Sequence, residues 1–175
     1  MNTVNNRRKK ESQERIEKIF LELVQSKEIS EITVTDICEK AKLNRTTFYS
    51  NYLDIYDLAD KIKQKLETDV LNLYDGKTFK MQQSGDLLKL FNHIKDNQLF
   101  YKTYFKLGFD KNNFINNYDK AFASLYYQND DIDYHITFFK AGLNAIILKW
   151  LYNGCQKSAQ EMYKIIQDEY KKDLL

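Results

Sequence analysis

Apolar residues recur at intervals of three and four along most of the chain, which is the spacing of one face of a helix. The first such segment, 14–25, carries Ile16, Ile19, Phe20, Leu23 and Val24. Comparable spacing predicts further helices over 33–41, 44–52, 54–75, 84–95, 99–107, 112–127, 132–153 and 158–171. The pattern therefore predicts a helical chain.

Local signals mark where several of these helices begin and end. Thr33 and Asp36 have the spacing of a capping box, in which each side chain bonds to the backbone amide of the other residue. Asn44 is a favourable N-cap residue, and Gly76 stands where the helix over 54–75 should end.

Composition supports the same fold class. The chain has 175 residues, no proline and only five glycines. Because turns between strands depend on these two residue types, their scarcity disfavours a sheet, and we expect an all-α fold. Hydrophobic residues make up 43% and charged residues 30%, as in a soluble globular protein. The length suits one domain, or two small modules that share a core.

The two short helices over 33–41 and 44–52 are joined by a three-residue turn, 42–44, which ends at the N-cap Asn44, and they follow the first helix directly. This arrangement predicts a helix-turn-helix, whose second helix enters the major groove of DNA. If Phe48 and Tyr52 point inward, the outward residues are polar or aromatic and none is acidic. They are Arg45, Thr46, Thr47, Tyr49, Ser50 and Asn51.

The run over 32–52, ITVTDICEKAKLNRTTFYSNY, resembles the N-terminal signature of the TetR family of bacterial transcriptional regulators. The likeness covers about residues 10–60, because the capping box, the turn, the Thr-Phe-Tyr run and the following aromatic occur in the same order. The stretches FFKAG at 138–142 and WLYNG at 150–154 are similar to one subgroup of the C-terminal domains of that family.

The resemblance implies a dimeric regulator whose helical C-terminal domain senses a small molecule. On that basis we expect an arm and DNA-binding domain over 1–53, a connecting helix over 54–75, and a ligand-binding and dimerisation bundle over 76–175. The DNA contacts that it implies are Thr33, Asn44, Arg45, Thr46, Thr47, Tyr49, Ser50 and Asn51. For Arg45, a phosphate contact and a bidentate contact with guanine both remain open.

The chain departs from the family pattern at two positions. Lys42 occupies the turn position that usually holds glycine, which would cost free energy if the backbone there has a positive φ. Ile55 stands where the family usually has a lysine that meets a phosphate. The basic run at 7–10 could replace that contact as a DNA-binding arm, or it could be a solvated tail. The net charge of +2 does not decide between the two.

Aromatic residues are frequent in the C-terminal half, and they either line a ligand pocket or fill the core. The pocket hypothesis assigns Tyr101, Tyr104, Phe105, Tyr118, Phe122 and Tyr126. The helix over 132–151 is apolar around nearly its whole circumference, which predicts burial on two sides, one of them against a second copy of the chain. We expect the four-helix dimer interface to contain Phe139, Gly142, Leu143, Ile146, Ile147, Trp150, Met162, Ile165 and Ile166.

The remaining signals exclude several classes of function. Cys38 and Cys155 lie far apart and form no CxxC motif, so we expect no metal site, no disulfide and no cofactor. We find neither a phosphate-binding glycine loop nor a nucleophile elbow, which argues against an enzyme. With no secretory signal and no membrane span, we expect a cytoplasmic protein.

The leading hypothesis is a homodimeric repressor that binds a pseudo-palindromic operator in double-stranded DNA and is released by a small-molecule effector. The alternative is a TetR-like co-activator or protein-interaction adaptor that does not itself read DNA, an interpretation that the residues at Lys42 and Ile55 favour.

Overall fold

The computed structural model describes residues 4–73, 84–108 and 131–171, and the regular secondary structure in these ranges is entirely helical. A 3-10 turn at Ile29–Glu31 precedes the second helix. The α-helices are α1 (Val4–Val24), α2 (Val34–Ala41), α3 (Arg45–Tyr49), α4 (Ile55–Asn72), α5 (Ser84–Asp96), α6 (Gln98–Lys106), α7 (Ile132–Tyr152) and α8 (Ala159–Lys171). The predicted all-α fold is confirmed. The helix predicted over 112–127 lies outside the described residues.

Helix α1 begins at Val4, well before the predicted start at Glu14. Its first turns are polar. Two ion pairs, each between residues four positions apart, stabilise them: Arg7 with Glu11 at 3.5 Å and Lys10 with Glu14 at 3.9 Å. Exposed pairs of this kind contribute about 0.3–0.5 kcal/mol each. The basic run at 7–10 is therefore part of a helix, which hydrophobic periodicity could not detect.

The chain divides into two compact units, Met1–Leu66 and Glu67–Leu175. In the first unit α2 packs against both α1 and α3. The core of this unit includes six apolar side chains with no exposed surface: Ile16, Phe20, Val24, Ile37, Phe48 and Leu58. Full burial of side chains of this size stabilises the fold by about 1.5–3 kcal/mol each.

A single carboxylate in α1 links two other segments of the first unit. Glu17 accepts a hydrogen bond from the Tyr52 hydroxyl at 3.2 Å and pairs with the Lys65 ammonium of α4 at 2.7 Å. Burial raises the pKa of Tyr52 above its usual range, and the Glu17 charge raises it further. Tyr52 therefore stays protonated and donates to Glu17.

In the second unit α5 packs against α6 and α8, and α6 packs against α7. Its buried side chains include Leu87, Phe91, Leu143 and Ile147. The rings of Phe91 and Trp150 meet edge to face with centroids 5.5 Å apart, and the Trp150 indole donates to the Lys157 carbonyl at 3.0 Å. Helix α8 begins with a capping box, because Ser158 and Glu161 bond to each other's backbone amides.

The turn between α2 and α3 has the left-handed backbone that sequence analysis identified as a cost. Lys42 has φ 54° and ψ 48°, and its amide faces the carbonyls of Cys38 and Glu39. A left-handed backbone costs a residue with a Cβ roughly 1–2 kcal/mol. The residue that ends α2 therefore carries backbone strain that a glycine at this position would not have.

Replacing Lys42 by glycine should raise the free energy of unfolding by about 1 kcal/mol, because glycine adopts this backbone without strain. Urea denaturation followed by circular dichroism measures the change. Lys18→Gly is the matched control, since Lys18 is exposed within α1, where glycine should cost about 1 kcal/mol. Equal destabilisation by both changes would contradict the strain at Lys42.

A partly buried histidine in the second unit makes its stability depend on pH. The His93 Nδ1 lies 2.7 Å from the Tyr101 hydroxyl. Burial lowers the pKa of His93, although the charges of Asp69 and Asp96 act in the opposite direction. The folded chain therefore binds the His93 proton less readily than the unfolded chain does.

We expect the His93 contribution to the free energy of unfolding to fall as pH drops through 6.5, the ordinary histidine value. In that window the unfolded chain takes up a proton that the folded chain resists. Urea denaturation at pH about 7.5 and about 5.5 tests this, and His93→Gln should reduce the difference between the two. His135→Gln serves as the control. An unchanged difference in His93→Gln would assign the pH dependence to other groups.

Candidate functional site

The predicted capping groups of the helix-turn-helix are confirmed. The Thr33 hydroxyl accepts from the Asp36 amide at 3.1 Å, and the Asp36 carboxylate accepts from the Thr33 amide at 2.9 Å and from the Thr33 hydroxyl at 2.8 Å. The backbone hydrogen bond from Thr33 lowers the pKa of Asp36. Asn44 caps α3, because its Oδ1 accepts from the Thr47 amide at 2.7 Å.

Helix α3 has one buried residue, Phe48, which has no exposed surface. The Tyr49 ring stands edge to face against Phe48 with centroids 5.6 Å apart, and 56% of Tyr49 is exposed. Arg45, Thr46 and Ser50 are also exposed. The structure therefore places these four predicted DNA contacts, Arg45, Thr46, Tyr49 and Ser50, on the accessible surface of α3 and the residue after it.

The remaining predicted DNA contacts have hydrogen-bond partners in the motif, and so does Ser50, whose hydroxyl donates to the Thr47 carbonyl at 2.8 Å. The Thr47 hydroxyl donates to Asn44 Oδ1 at 2.8 Å, so the Asn44 and Thr47 side chains hold each other, while Thr33 is bound to Asp36. Asn51, predicted to point outward, is half-buried and donates to the Thr47 carbonyl at 2.8 Å. That prediction extended helical spacing past Tyr49, where α3 ends, so the orientation of Asn51 is corrected.

Arg45 is held by a side chain of α2. Its Nη2 donates to the Thr35 hydroxyl at 2.6 Å, and no carboxylate among the described residues forms an ion pair with it. The guanidinium thus lies near α2, where its charge opposes the effect of burial, which raises the pKa of the Cys38 thiol. No sequence pattern indicates this role of Thr35, since the contact joins two helices and follows neither helical period.

The start of α4 differs in chemistry from the family pattern. Ile55 is 7% exposed, so its side chain belongs to the core of the first unit. The neighbouring acids cap the helix: Asp54 Oδ1 accepts from the Asp57 amide and Asp57 Oδ2 from the Leu53 amide, both at 2.8 Å. Asp57 also pairs with Lys61 at 2.8 Å. The Lys61 ammonium also donates to the Asn51 carbonyl at 3.0 Å. This turn therefore has no cation at the position of the usual lysine.

The aromatic residues assigned to a ligand pocket are buried where the structure describes them. Tyr101, Tyr104 and Phe105 lie in α6 with at most 8% exposure. The Tyr101 hydroxyl meets His93, and the Tyr104 hydroxyl donates to Glu67 at 3.2 Å. Internal partners thus satisfy these two hydroxyls. The other three assigned residues, Tyr118, Phe122 and Tyr126, lie outside the described ranges.

A surface cavity of about 320 Å³ lies elsewhere in the second unit, between α7 and α8. Most of the lining surface is apolar, and two lysines and two side-chain amides also line the cavity. The lining residues are Ile146, Lys149, Trp150, Asn153, Gln156, Lys157, Met162 and Ile165. Four of them, Ile146, Trp150, Met162 and Ile165, were assigned to the dimer interface.

The nine residues assigned to that interface lie on two different sides of α7 and α8. Six have at most 4% of their surface exposed, and only Gly142, Ile146 and Ile165 have more. The six are Phe139, Leu143, Ile147, Trp150, Met162 and Ile166. Because they pack inside their own chain, they leave little surface for a partner, and their assignment is revised to core.

The exposed side of α7 carries large apolar residues at its ends and small ones in the middle. Tyr134 is 77% exposed, Phe138 81% and Tyr152 69%. Between them the exposed residues Ala141, Gly142 and Ala145 fall on the same helical face. A Cβ added at Gly142 would meet no atom within 4 Å. We call the six residues Tyr134, Phe138, Ala141, Gly142, Ala145 and Tyr152 the open face of α7.

Within the described ranges, every helix is too short or too polar to cross a membrane.

Residues 84–170 match a TetR family model described as "Transcriptional regulator C-terminal region". The chain is 33% identical over 101 residues to the HTH-type dhaKLM operon transcriptional activator DhaS of Lactococcus lactis subsp. lactis strain IL1403. That match covers 58% of this chain and about half, 51%, of the relative.

A solved structure titled "Dihydroxyacetone kinase operon activator DhaS" has a similar fold. The TM-score is 0.56 and the identity 23%, over 90% of this chain and 92% of the other. The helix-turn-helix and the matched C-terminal region together lead to one assignment: the chain belongs to the TetR family of transcriptional regulators.

Proposed function

We propose that the protein is a homodimeric regulator that binds a pseudo-palindromic operator in double-stranded DNA through α3 and is released by a small-molecule effector. The observation that carries the DNA-binding part is the accessible surface of α3. It presents Arg45 without a carboxylate partner, together with the exposed Tyr49 and with no acidic side chain on the helix. Such a surface suits a polyanion whose base edges carry acceptors.

The geometry of the motif supports insertion of α3 into a groove. Phe48 faces the core, whereas Thr46 and Ser50, on the opposite side of the motif, are exposed. The Thr33 hydroxyl and the Asn44 Oδ1 are engaged in hydrogen bonds within the motif, so we assign neither of them a base contact. Base contacts then fall to Arg45, Thr46, Tyr49 and Ser50, whose side chains are exposed.

The open face of α7 supports the homodimer. A contiguous exposed apolar surface with two aromatic residues near one end is unusual for a surface that faces water. Small residues in its centre allow two helices to approach closely, as at the seam of a two-fold interface. The cavity beside Ile146 and Ile165 offers a second apolar surface on α7 and α8. We therefore place the proposed interface on the open face and these two isoleucines.

The effector site is proposed for the second unit, where Tyr101, Tyr104 and Phe105 pack in α6. The family assignment supports this site. The two tyrosine hydroxyls do not by themselves indicate a ligand, because His93 and Glu67 already satisfy them. A ligand that enters there would compete for these hydrogen bonds and change the packing of α6 against α5 and α7.

The direction of regulation has two candidates. Sequence analysis favours a repressor, whereas the relative from Lactococcus lactis carries the name of a transcriptional activator. A co-activator that does not read DNA is a further alternative, which the buried Ile55 favours because that position supplies no phosphate contact. A reporter gene placed behind a selected site separates the two directions, since a repressor lowers and an activator raises its expression.

Selection from random double-stranded DNA should yield a palindromic site whose half-sites lie about 34–36 Å apart, or a multiple of that spacing. Arg45→Ala should weaken binding to it by about 1–3 kcal/mol, and Tyr49→Ala should also weaken it, because each removes an exposed group of α3. Fluorescence anisotropy at several salt concentrations measures both.

Arg15→Ala is the matched control for Arg45→Ala, since Arg15 is an exposed arginine of α1. It should bind the selected site like the parent protein. All variants should keep their melting temperatures. Absence of any enriched sequence at low salt would contradict DNA reading and favour the adaptor alternative.

The aspartate variant Phe138→Asp should turn the dimer into monomers, because a charge on the open face of α7 cannot be desolvated without a large cost. Analytical ultracentrifugation measures the mass. Gln160→Asp introduces the same side chain at an exposed position of α8 and should leave the dimer intact. A stable Phe138→Asp dimer would place the interface elsewhere.

A further inference from the structure

Thr35 and Arg45 form a side-chain contact between the two helices of the DNA-binding motif. Arg45 Nη2 lies 2.6 Å from Thr35 Oγ1. Arg45 is exposed and Thr35 is half-buried. An exposed arginine without such a contact would sample many rotamers and lose that freedom on binding. The hydroxyl therefore restricts the guanidinium before DNA arrives.

The contact restrains Arg45 without neutralising it. Three other cations of the first unit are bound to carboxylates: Lys27 to Asp36, Lys61 to Asp57 and Lys65 to Glu17. Thr35 instead offers a neutral acceptor, so the full positive charge of Arg45 remains available. One of the five N–H donors of the guanidinium is used, and the others remain for a ligand.

The position of the Thr35 hydroxyl relative to α3 is itself fixed by short-range bonds. The capping box of Thr33 and Asp36 sets the first turn of α2, which contains Thr35. At the other end of α2, the Leu43 amide donates to the Cys38 carbonyl at 2.9 Å. The Asn44 cap then begins α3 one residue before Arg45. The two ends of the contact are thus joined by an ordered backbone.

We propose that Thr35 is a positioning residue that orients the Arg45 guanidinium so that it reads a base edge in the major groove. The inference rests on the proposed DNA-binding function. A bidentate contact with a base requires a defined plane and direction of the guanidinium, whereas a phosphate contact needs mainly its charge. A hydrogen bond that fixes the orientation of the guanidinium and leaves its charge unchanged therefore favours a contact with a base over a contact with phosphate.

Three single variants and one double variant test this on the DNA site that the parent protein selects. Thr35→Val keeps the shape of the side chain and removes the hydroxyl, Thr35→Ser keeps the hydroxyl, and Arg45→Ala removes the oriented group. Affinity is measured for the selected site and for sites that carry each single base change. Melting temperature and dimer mass are measured in parallel.

We expect Thr35→Val to weaken binding to the selected site roughly threefold to tenfold, as for loss of one ordinary hydrogen bond. The variant should discriminate less between bases at the position that Arg45→Ala also affects. The salt dependence of its DNA affinity should not change. Thr35→Ser should bind like the parent. In the Arg45→Ala background, Thr35→Val should have no further effect.

Three results would overturn the inference: parent-like affinity of Thr35→Val, an equal loss in the Arg45→Ala background, or a uniform loss over all sequences. The second would mean that Thr35 acts independently of Arg45. Failure of the parent protein to select any DNA would remove the proposed function and this inference together. Normal selection by the parent with an unaffected Thr35→Val would remove the inference alone.

Discussion

Helix α3 has only five residues, and the candidate DNA-binding surface depends on what holds so short a helix in place. A segment of this length has almost no helical stability by itself in water, because nucleation is unfavourable and few hydrogen bonds follow it. Its structure therefore comes from the buried Phe48 ring, the Asn44 cap and the closed turn at Lys42. The exposed residues of α3 have a defined direction only through these three attachments.

The same dependence extends to the neighbouring helices. Phe48 contacts Tyr52, with ring centroids 5.6 Å apart, and Tyr52 in turn donates to Glu17 of α1. Glu17 also binds Lys65 of α4. Through this chain of contacts α1, α4 and the segment after α3 support one another, so a change in α4 would be transmitted to the motif by packing and not by the backbone alone.

Sequence patterns predicted features that local rules determine, and they failed where packing decides. The capping box at Thr33, the cap at Asn44 and burial of Phe48 follow from short spacings, and the structure has all of them. Asn51 was misplaced because helical spacing does not apply beyond Tyr49. The polar start of α1 escaped detection because i,i+4 ion pairs leave no apolar period. The Thr35–Arg45 contact joins positions whose proximity only the fold creates.

Helix α7 shows the same limit in another form. When nearly every position of a helix is apolar, its sequence does not indicate which side faces its own core. The structure assigns Phe139, Leu143 and Ile147 to the core and leaves Phe138 and Gly142 outside. The apolar circumference of α7 predicts a second apolar side, and α7 has one that is exposed, but six of the nine residues assigned to the interface are buried in the core.

Charge placement links the turn at Ile55 to the role of Arg45. The net charge is only +2, and several cations are tied to carboxylates of the same chain. Nonspecific attraction to phosphate scales with the number of cations that reach the backbone, and the buried Ile55 removes one such position. Under the proposed function, binding energy then has to come in larger part from contacts that need correct orientation. An arginine that is held by a neutral hydroxyl keeps both properties that such a contact requires, its charge and its direction.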